Sequence, residues 1–149
     1  MRRLISALSS FIVGSALVLA CAQLARAADK DLQGTWTATK AERDGRAATD
    51  LVGHTLFFSG DRFEIQSKDR KSLYSGTVQV DANTKPAVIH FQHAEGGLKG
   101  KTWKGIYVLD GETLTICDNA ENLDAARPSK FEAKSGSGYV LVMFDRAKP

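Results

Sequence analysis

Short apolar runs separated by turn residues fill the sequence from Thr35 to Phe144, and this pattern limits the fold more than any other feature. The runs are rich in aromatic and β-branched residues, with Gly, Asp, Asn and Ser between them. No long segment repeats its apolar residues at helical spacing. Regularly spaced short strands are typical of a sandwich or a barrel. The predicted strands are Thr35–Lys40, Thr55–Phe58, Arg62–Gln66, Leu73–Val80, Ala87–Phe91, Thr102–Leu109, Thr113–Cys117, Lys130–Ala133 and Tyr139–Phe144.

Two of the predicted turns are strong hairpin signals. Gly60-Asp61 separates the second and third runs, and Asp110-Gly111 separates the sixth and seventh. Gly and Asp suit such turns, because Gly accepts a positive φ and Asp either tolerates it or bonds its own backbone. These hairpins favour antiparallel neighbours along the chain.

The N-terminus has the three parts of a secretory signal peptide. Arg2 and Arg3 precede an apolar run, and Ala25-Arg26-Ala27 fits the rule for the cleavage site. We therefore predict a signal peptide over residues 1–27 and one domain over residues 28–149, in an exported protein that is periplasmic or secreted in a bacterium.

Two other fates of this segment stay open. The stretch ending at Cys21 is similar to a bacterial lipobox, in which the Cys is acylated and becomes the first residue of a lipoprotein. The apolar run is also close to the ~20 residues that span a membrane, so an uncleaved anchor is the second alternative. A membrane is expected as a partner only in these two cases.

Removal of the signal peptide changes the charge of the protein. The whole chain has a formal net charge of +3, and the three Arg residues of the segment account for it. The remaining domain is balanced, and it lacks the clustered basic face that nucleic-acid binding needs. Cys117 is then the one cysteine left, and we expect it to be a half-buried small apolar residue at a strand end rather than a reactive thiol or a partner in an intermolecular disulfide.

Two segments without strand pattern have distinct predicted roles. Arg43–Val52 is the best candidate for a short helix or an irregular lid covering one end of the structure. The polar stretch from Cys117 to Phe131 reads as a surface loop, which Pro128 keeps from pairing and from which Phe131 returns to the core.

With these elements in place, the sequence resembles the uncharacterised, planctomycete-type lipocalin-like domain family of exported bacterial proteins. The resemblance covers nearly all of the domain and implies an all-β fold, a small antiparallel up-and-down barrel of about eight strands. It implies no established reaction and no catalytic residue. The matching stretches are "LQGTW" at Leu32–Trp36, "DG" at Asp44-Gly45, "FSGDRF" at Phe58–Phe63, "GKT" at Gly100–Thr102, "GIYVLDGETLTIC" at Gly105–Cys117, "RPSKF" at Arg127–Phe131 and the ending "SGSGYVLVMFDR".

The resemblance also implies a role for Gly34, Trp36 and Arg146 in barrel closure. In lipocalin-like barrels a Gly-x-Trp in the first strand closes the base, and an Arg after the last strand lies over the indole. Such a pair combines a large apolar plug with a cation–π contact that contributes ~0.5–2 kcal/mol.

Period-two alternation predicts which residues face the barrel interior. Barrels of about eight strands hold either packed side chains or one small ligand. The first functional hypothesis is therefore a binding barrel for a small apolar or amphipathic molecule in the cell envelope. The second is a filled, ligand-free structural or protein-interaction module. The predicted interior residues are Phe63, Ile65, Tyr74, Val78, Ile89, Trp103, Tyr107, Leu114 and Ile116.

Signals for catalysis and for cofactors are missing from the sequence. It has no nucleophile elbow, no Gly-rich phosphate loop and no telling pair of carboxylates, so an enzyme is the third hypothesis. His90 and His93 are candidate zinc ligands, but residues three apart on a strand point to opposite faces of the sheet. We therefore predict no metal site and no cofactor.

Overall fold

The computed structural model describes residues 29–149; the predicted signal peptide and Cys21 lie outside the described residues. Three short 3₁₀ turns, Lys30–Leu32, Thr49–Leu51 and Gly96–Leu98, accompany nine β-strands. The strands are β1 (Gly34–Arg43), β2 (Arg46–Ala47), β3 (Thr55–Ser59), β4 (Arg62–Gln66), β5 (Ser72–Asp81), β6 (Ala87–His93), β7 (Thr102–Asp110), β8 (Thr113–Asp118) and β9 (Val140–Arg146).

The sheet closes into an antiparallel barrel. From β3 to β9 each strand pairs with the next one in the chain, while β1 pairs with both β3 and β9. The two-residue β2 only pairs with the end of β1, so eight strands form the barrel wall. The predicted all-β, up-and-down barrel is thus confirmed.

Most predicted strands lie where the alternation placed them, but the strand predicted at Lys130–Ala133 was wrong. This segment belongs to a long irregular connection over residues 119–139, outside the sheet. Its backbone is bonded elsewhere, since the Ala133 carbonyl accepts from Gly45 N–H at 2.7 Å. Phe131 is only half-buried and does not join the core cluster.

Asn119 and Arg127 fasten this connection to the barrel. The buried Asn119 side chain accepts from Lys104 N–H at 2.8 Å and donates to the Ala125 carbonyl at 2.9 Å. Arg127 donates to the carbonyls of Ile89 and Gly105. Satisfying buried backbone groups in this way lets an irregular segment pack on a sheet.

The segment predicted as a helix or irregular lid forms a small hairpin and a 3₁₀ turn. Arg43 ends β1, Asp44 and Gly45 make the turn with positive φ, and β2 returns alongside β1. The 3₁₀ turn Thr49–Leu51 follows, and Asp50 and Leu51 reach one end of the barrel.

A β-bulge at Thr39 changes which side chains of β1 face the interior. Ala38 pairs with Phe144 and Lys40 with Met143, so Thr39 is an extra residue. An inserted residue shifts the alternation of the strand. Trp36 and Ala38 are buried before the bulge, and Ala41 is buried after it.

Candidate functional site

One end of the barrel, here called the base, is closed by Gly34, Trp36 and Arg146. Gly34 has a φ of +113°, which turns the chain from the 3₁₀ turn Lys30–Leu32 into β1. Trp36 is fully buried, and its indole N–H donates to the Leu32 carbonyl at 2.8 Å. The Arg146 guanidinium lies 4.2 Å from the centre of the Trp36 ring.

The guanidinium of Arg146, at the end of β9, also joins the segment that precedes β1 to the base. Its Nη1 donates to the Gln33 carbonyl at 2.9 Å and its Nη2 to the Asp31 carbonyl at 2.8 Å. Its Nε lies 3.0 Å from a Glu112 carboxylate oxygen in the β7–β8 turn. The contact with Trp36 is therefore one part of a hydrogen-bonded closure.

All nine predicted interior residues lie on the inner face of the wall, but they divide into two groups. Phe63, Val78, Ile89, Tyr107 and Leu114 belong to the buried core and do not touch the cavity described next. Ile65, Tyr74, Trp103 and Ile116 do line it. Tyr74 is the most exposed of the nine, with 36% of its surface accessible.

A cavity of about 480 Å³ occupies the half of the barrel opposite the base. Its apolar wall includes Leu56, Phe91 and Phe144 beside the four predicted residues. It opens where β1 ends and β8 gives way to the long connection, an end here called the mouth. The volume falls within the ~300–1,000 Å³ that is usual for small-molecule sites.

Polar side chains line the mouth of the cavity: Arg43, Asp50, His54, Asp118 and Glu121. Arg43 Nη2 donates to both carboxylate oxygens of Asp50, at 3.0 and 3.1 Å. Its Nη1 lies 3.8 Å from Glu121. An apolar interior below a polar rim suits an amphipathic molecule.

Asp118, the last residue of β8, is the most deeply buried of the charged residues at the mouth. It pairs in register with Gly105, where a Cβ atom would lie 2.9 Å from the Asp118 Cβ and 2.8 Å from the Cys117 carbonyl oxygen. The absence of a side chain at position 105 therefore leaves room for the carboxylate. Burial, assisted by the charge of Glu121, raises the pKa of Asp118 to about 7.

An aromatic cluster forms the wall beside the cavity. The ring of His93 packs 4.3 Å from Trp103 and 5.6 Å from Tyr74, measured between ring centres. Within residues 29–149, neither ring nitrogen of His93 has a hydrogen-bond partner, and the buried Nε1 of Trp103 lacks one as well. Burial lowers the pKa of His93, so its ring is held neutral.

His90 points away from His93, to the outer face of β6. Its Nε2 lies 3.0 Å from Arg127 Nη2, and burial together with the charge of Arg127 lowers its pKa. In the part of the chain that the structure describes, no group of three or more His, Cys, Asp and Glu side chains is placed to hold a metal ion.

Cys117 is fully buried on the outer face of β8. Its Sγ lies 3.5 Å from the Glu132 carbonyl oxygen in the long connection. Burial raises the pKa of the thiol to about 11. A thiol that stays protonated at neutral pH is a poor nucleophile.

Sequence reasoning missed several residues of the cavity. Phe91 was within reach, because it follows Ile89 by two residues on the same strand. Arg43 could not be predicted in this way, because it faces the cavity only as a result of the bulge at Thr39, which shifts the alternation of β1. Asp118 gave no apolar signal, although it follows the predicted interior residue Ile116 by two positions on β8 and lines the same cavity.

Comparison with known proteins gives no relative on which to base a function. No family model, no curated protein and no solved structure matches the chain. Among residues 29–149, no helix is long and apolar enough to cross a membrane.

Proposed function

We propose that this barrel binds one small amphipathic molecule in its cavity, with the apolar part inside and the polar part at the mouth. The supporting observation is the contrast between the two halves of the barrel. The half next to the base is filled by side chains, while the opposite half encloses about 480 Å³ against an apolar wall. Globular interiors are normally close-packed, so an unfilled half with an opening is typical of a binding site.

Filling the cavity is expected to weaken binding strongly. The reporter is N-phenyl-1-naphthylamine, a neutral apolar dye whose fluorescence rises when it leaves water. Val142→Trp adds an indole at a half-buried position on the cavity wall. We expect the dye titration to saturate with the wild-type protein and to lose at least about tenfold in affinity with the variant, a loss of about 1.4 kcal/mol.

Val108→Trp is the matched control, since Val108 is 45% exposed on the outer face of β7. This variant is expected to bind the dye as the wild type does, with the same far-UV circular dichroism. Equal binding by both Trp variants would place the dye on the surface and overturn the proposal.

We also propose that the protein is exported and acts in the bacterial cell envelope, as a member of the lipocalin-like family it resembles. The proposal is supported by the signal-peptide pattern of residues 1–27. Mass spectrometry of protein purified from a producing bacterium is expected to give a chain that begins at Ala28. A mass that begins at Cys21 and carries acyl chains would instead indicate a lipoprotein, and an uncleaved chain found in the cytoplasm would refute export.

A further inference from the structure

The charges at the mouth are unevenly paired. Among the residues that line the cavity, Asp50, Asp118 and Glu121 supply three carboxylates, and Arg43 is the one guanidinium. Arg43 is already occupied by Asp50 at 3.0 Å and lies 3.8 Å from Glu121. Within residues 29–149, no basic nitrogen lies within 4.0 Å of Asp118. The mouth therefore has an excess of negative charge.

Asp118 is built into the wall rather than held out in solvent. Only 8% of its surface is accessible, and its Oδ1 accepts from Ala120 N–H at 3.1 Å. A carboxylate buried without a cation is costly, and a cation that binds beside it recovers part of that cost. An uncharged ligand would leave this carboxylate without a positively charged partner.

Two aromatic rings, those of Trp103 and Tyr74, line the same cavity as this carboxylate. Trp103 lies two residues before Gly105, the register partner of Asp118, so Trp103 and Asp118 are diagonal neighbours across β7 and β8. Tyr74 packs edge-on against Trp103, with 4.9 Å between ring centres. Cations are attracted to the faces of such rings, and apolar chains pack on them as well.

From this juxtaposition we infer that the ligand is a cationic amphiphile, whose ammonium head pairs with Asp118 beside Trp103 and whose apolar tail occupies the cavity. The inference rests on the proposed binding function and specifies the chemical class of its ligand. The same excess of carboxylates disfavours the binding of anionic amphiphiles.

Three ligands with one tail test the preference for charge: n-octylamine, n-octanol and n-octanoate, each titrated as a competitor of N-phenyl-1-naphthylamine at about pH 8. We expect octylamine to bind at least about tenfold more tightly than octanol, and octanoate to bind most weakly. In Asp118→Asn the advantage of octylamine over octanol should fall to about twofold or less. Asp110→Asn, at an exposed position next to the base, should leave it unchanged.

The affinity of the wild-type protein for octyltrimethylammonium, measured over a range of pH, is a second test that does not depend on the folding of Asp118→Asn. Octyltrimethylammonium has a fixed charge, so its affinity reports only on the protein. Because Asp118 titrates near pH 7, this affinity is expected to fall severalfold from about pH 8 to about pH 5.5. Arg43, Asp50, Glu121 and His54 also face this space. The series is therefore repeated in His54→Gln, which has no imidazole, and the fall in affinity should persist there.

The outcomes separate the two proposals. Equal affinities for octylamine and octanol would overturn the inference that the ligand is cationic. An affinity of His54→Gln for octyltrimethylammonium that does not change with pH would overturn it as well. In both cases the proposed binding function would stand. Failure of the dye and of all octyl compounds to bind would overturn the binding function itself.

Discussion

Replacing Arg146 with Ala is expected to lower the free energy of unfolding by about 2–3 kcal/mol, which is a large share of the stability of a domain of this size. The variant loses two charge-assisted hydrogen bonds, to the carbonyls of Gln33 and Asp31, and the cation–π contact with Trp36. The ion pair with Glu112 adds little, because the Glu112 side chain is 77% exposed. Urea unfolding followed by circular dichroism measures the loss.

Arg146→Lys is the matched control for charge. Lys keeps the positive charge but lacks the planar fork that reaches both carbonyls and stacks on the indole, so an intermediate loss is expected. An unchanged unfolding midpoint for Arg146→Ala would mean that Trp36 closes the base alone, as an ordinary core aromatic.

Replacing Asp118 with Asn is expected to stabilise the protein at pH 8, by on the order of 1–3 kcal/mol. The pKa of Asp118 is about 7 in the folded protein, against 3.8 as the ordinary value. Since the folded state holds the proton more tightly, the contribution of Asp118 to stability is full below about pH 4 and is lost as the pH rises through 7. Asn stays neutral throughout and can still accept the hydrogen bond from Ala120 N–H.

The measurement is the difference in unfolding free energy between Asp118→Asn and wild type from about pH 4 to pH 8. The difference should be small at pH 4 and grow toward pH 8. Buried His93 and half-buried His90 have lowered pKa values and destabilise the folded state in acid. They do so in both proteins, so their contributions cancel in the difference. A variant that is less stable than wild type at pH 8 would contradict the expectation. A gain in stability on removing Asp118 would fit a residue kept for binding rather than for folding.

Alternation and turn chemistry were enough to predict an all-β sandwich or barrel and the side chains that face inward, while the choice of an up-and-down barrel depended on the resemblance to the lipocalin-like family. Residues such as Ile89 and Leu114 could be placed on the inner face because alternate residues of a strand point to the same side of the sheet, and the apolar residues of each strand fall on one side. The failure at Lys130–Ala133 has a different cause. Its short apolar content resembles a strand, but long-range hydrogen bonds from Asn119 and Arg127 hold the chain on the outside, and no local pattern encodes such bonds.

The division of the barrel into a filled half and a hollow half could not be predicted for a related reason. Which aromatic rings meet at the centre depends on register between strands, as in the contact of Phe63 with Phe91 at 4.9 Å. The polar residues of the mouth are likewise brought together by the closed sheet. They come from β1, β8 and the connections, and are far apart in the sequence.

The extra residue at Thr39 has an evolutionary consequence. The part of β1 before it, with Trp36, serves the base, and the part after it, with Arg43, serves the mouth. Because Thr39 has no partner of its own in β9, loss of its codon would leave Ala38 opposite Phe144 and Arg43 opposite Val140. A lineage of such barrels can therefore gain or lose a residue at this position while the closure of the base and the charge at the mouth are both inherited unchanged.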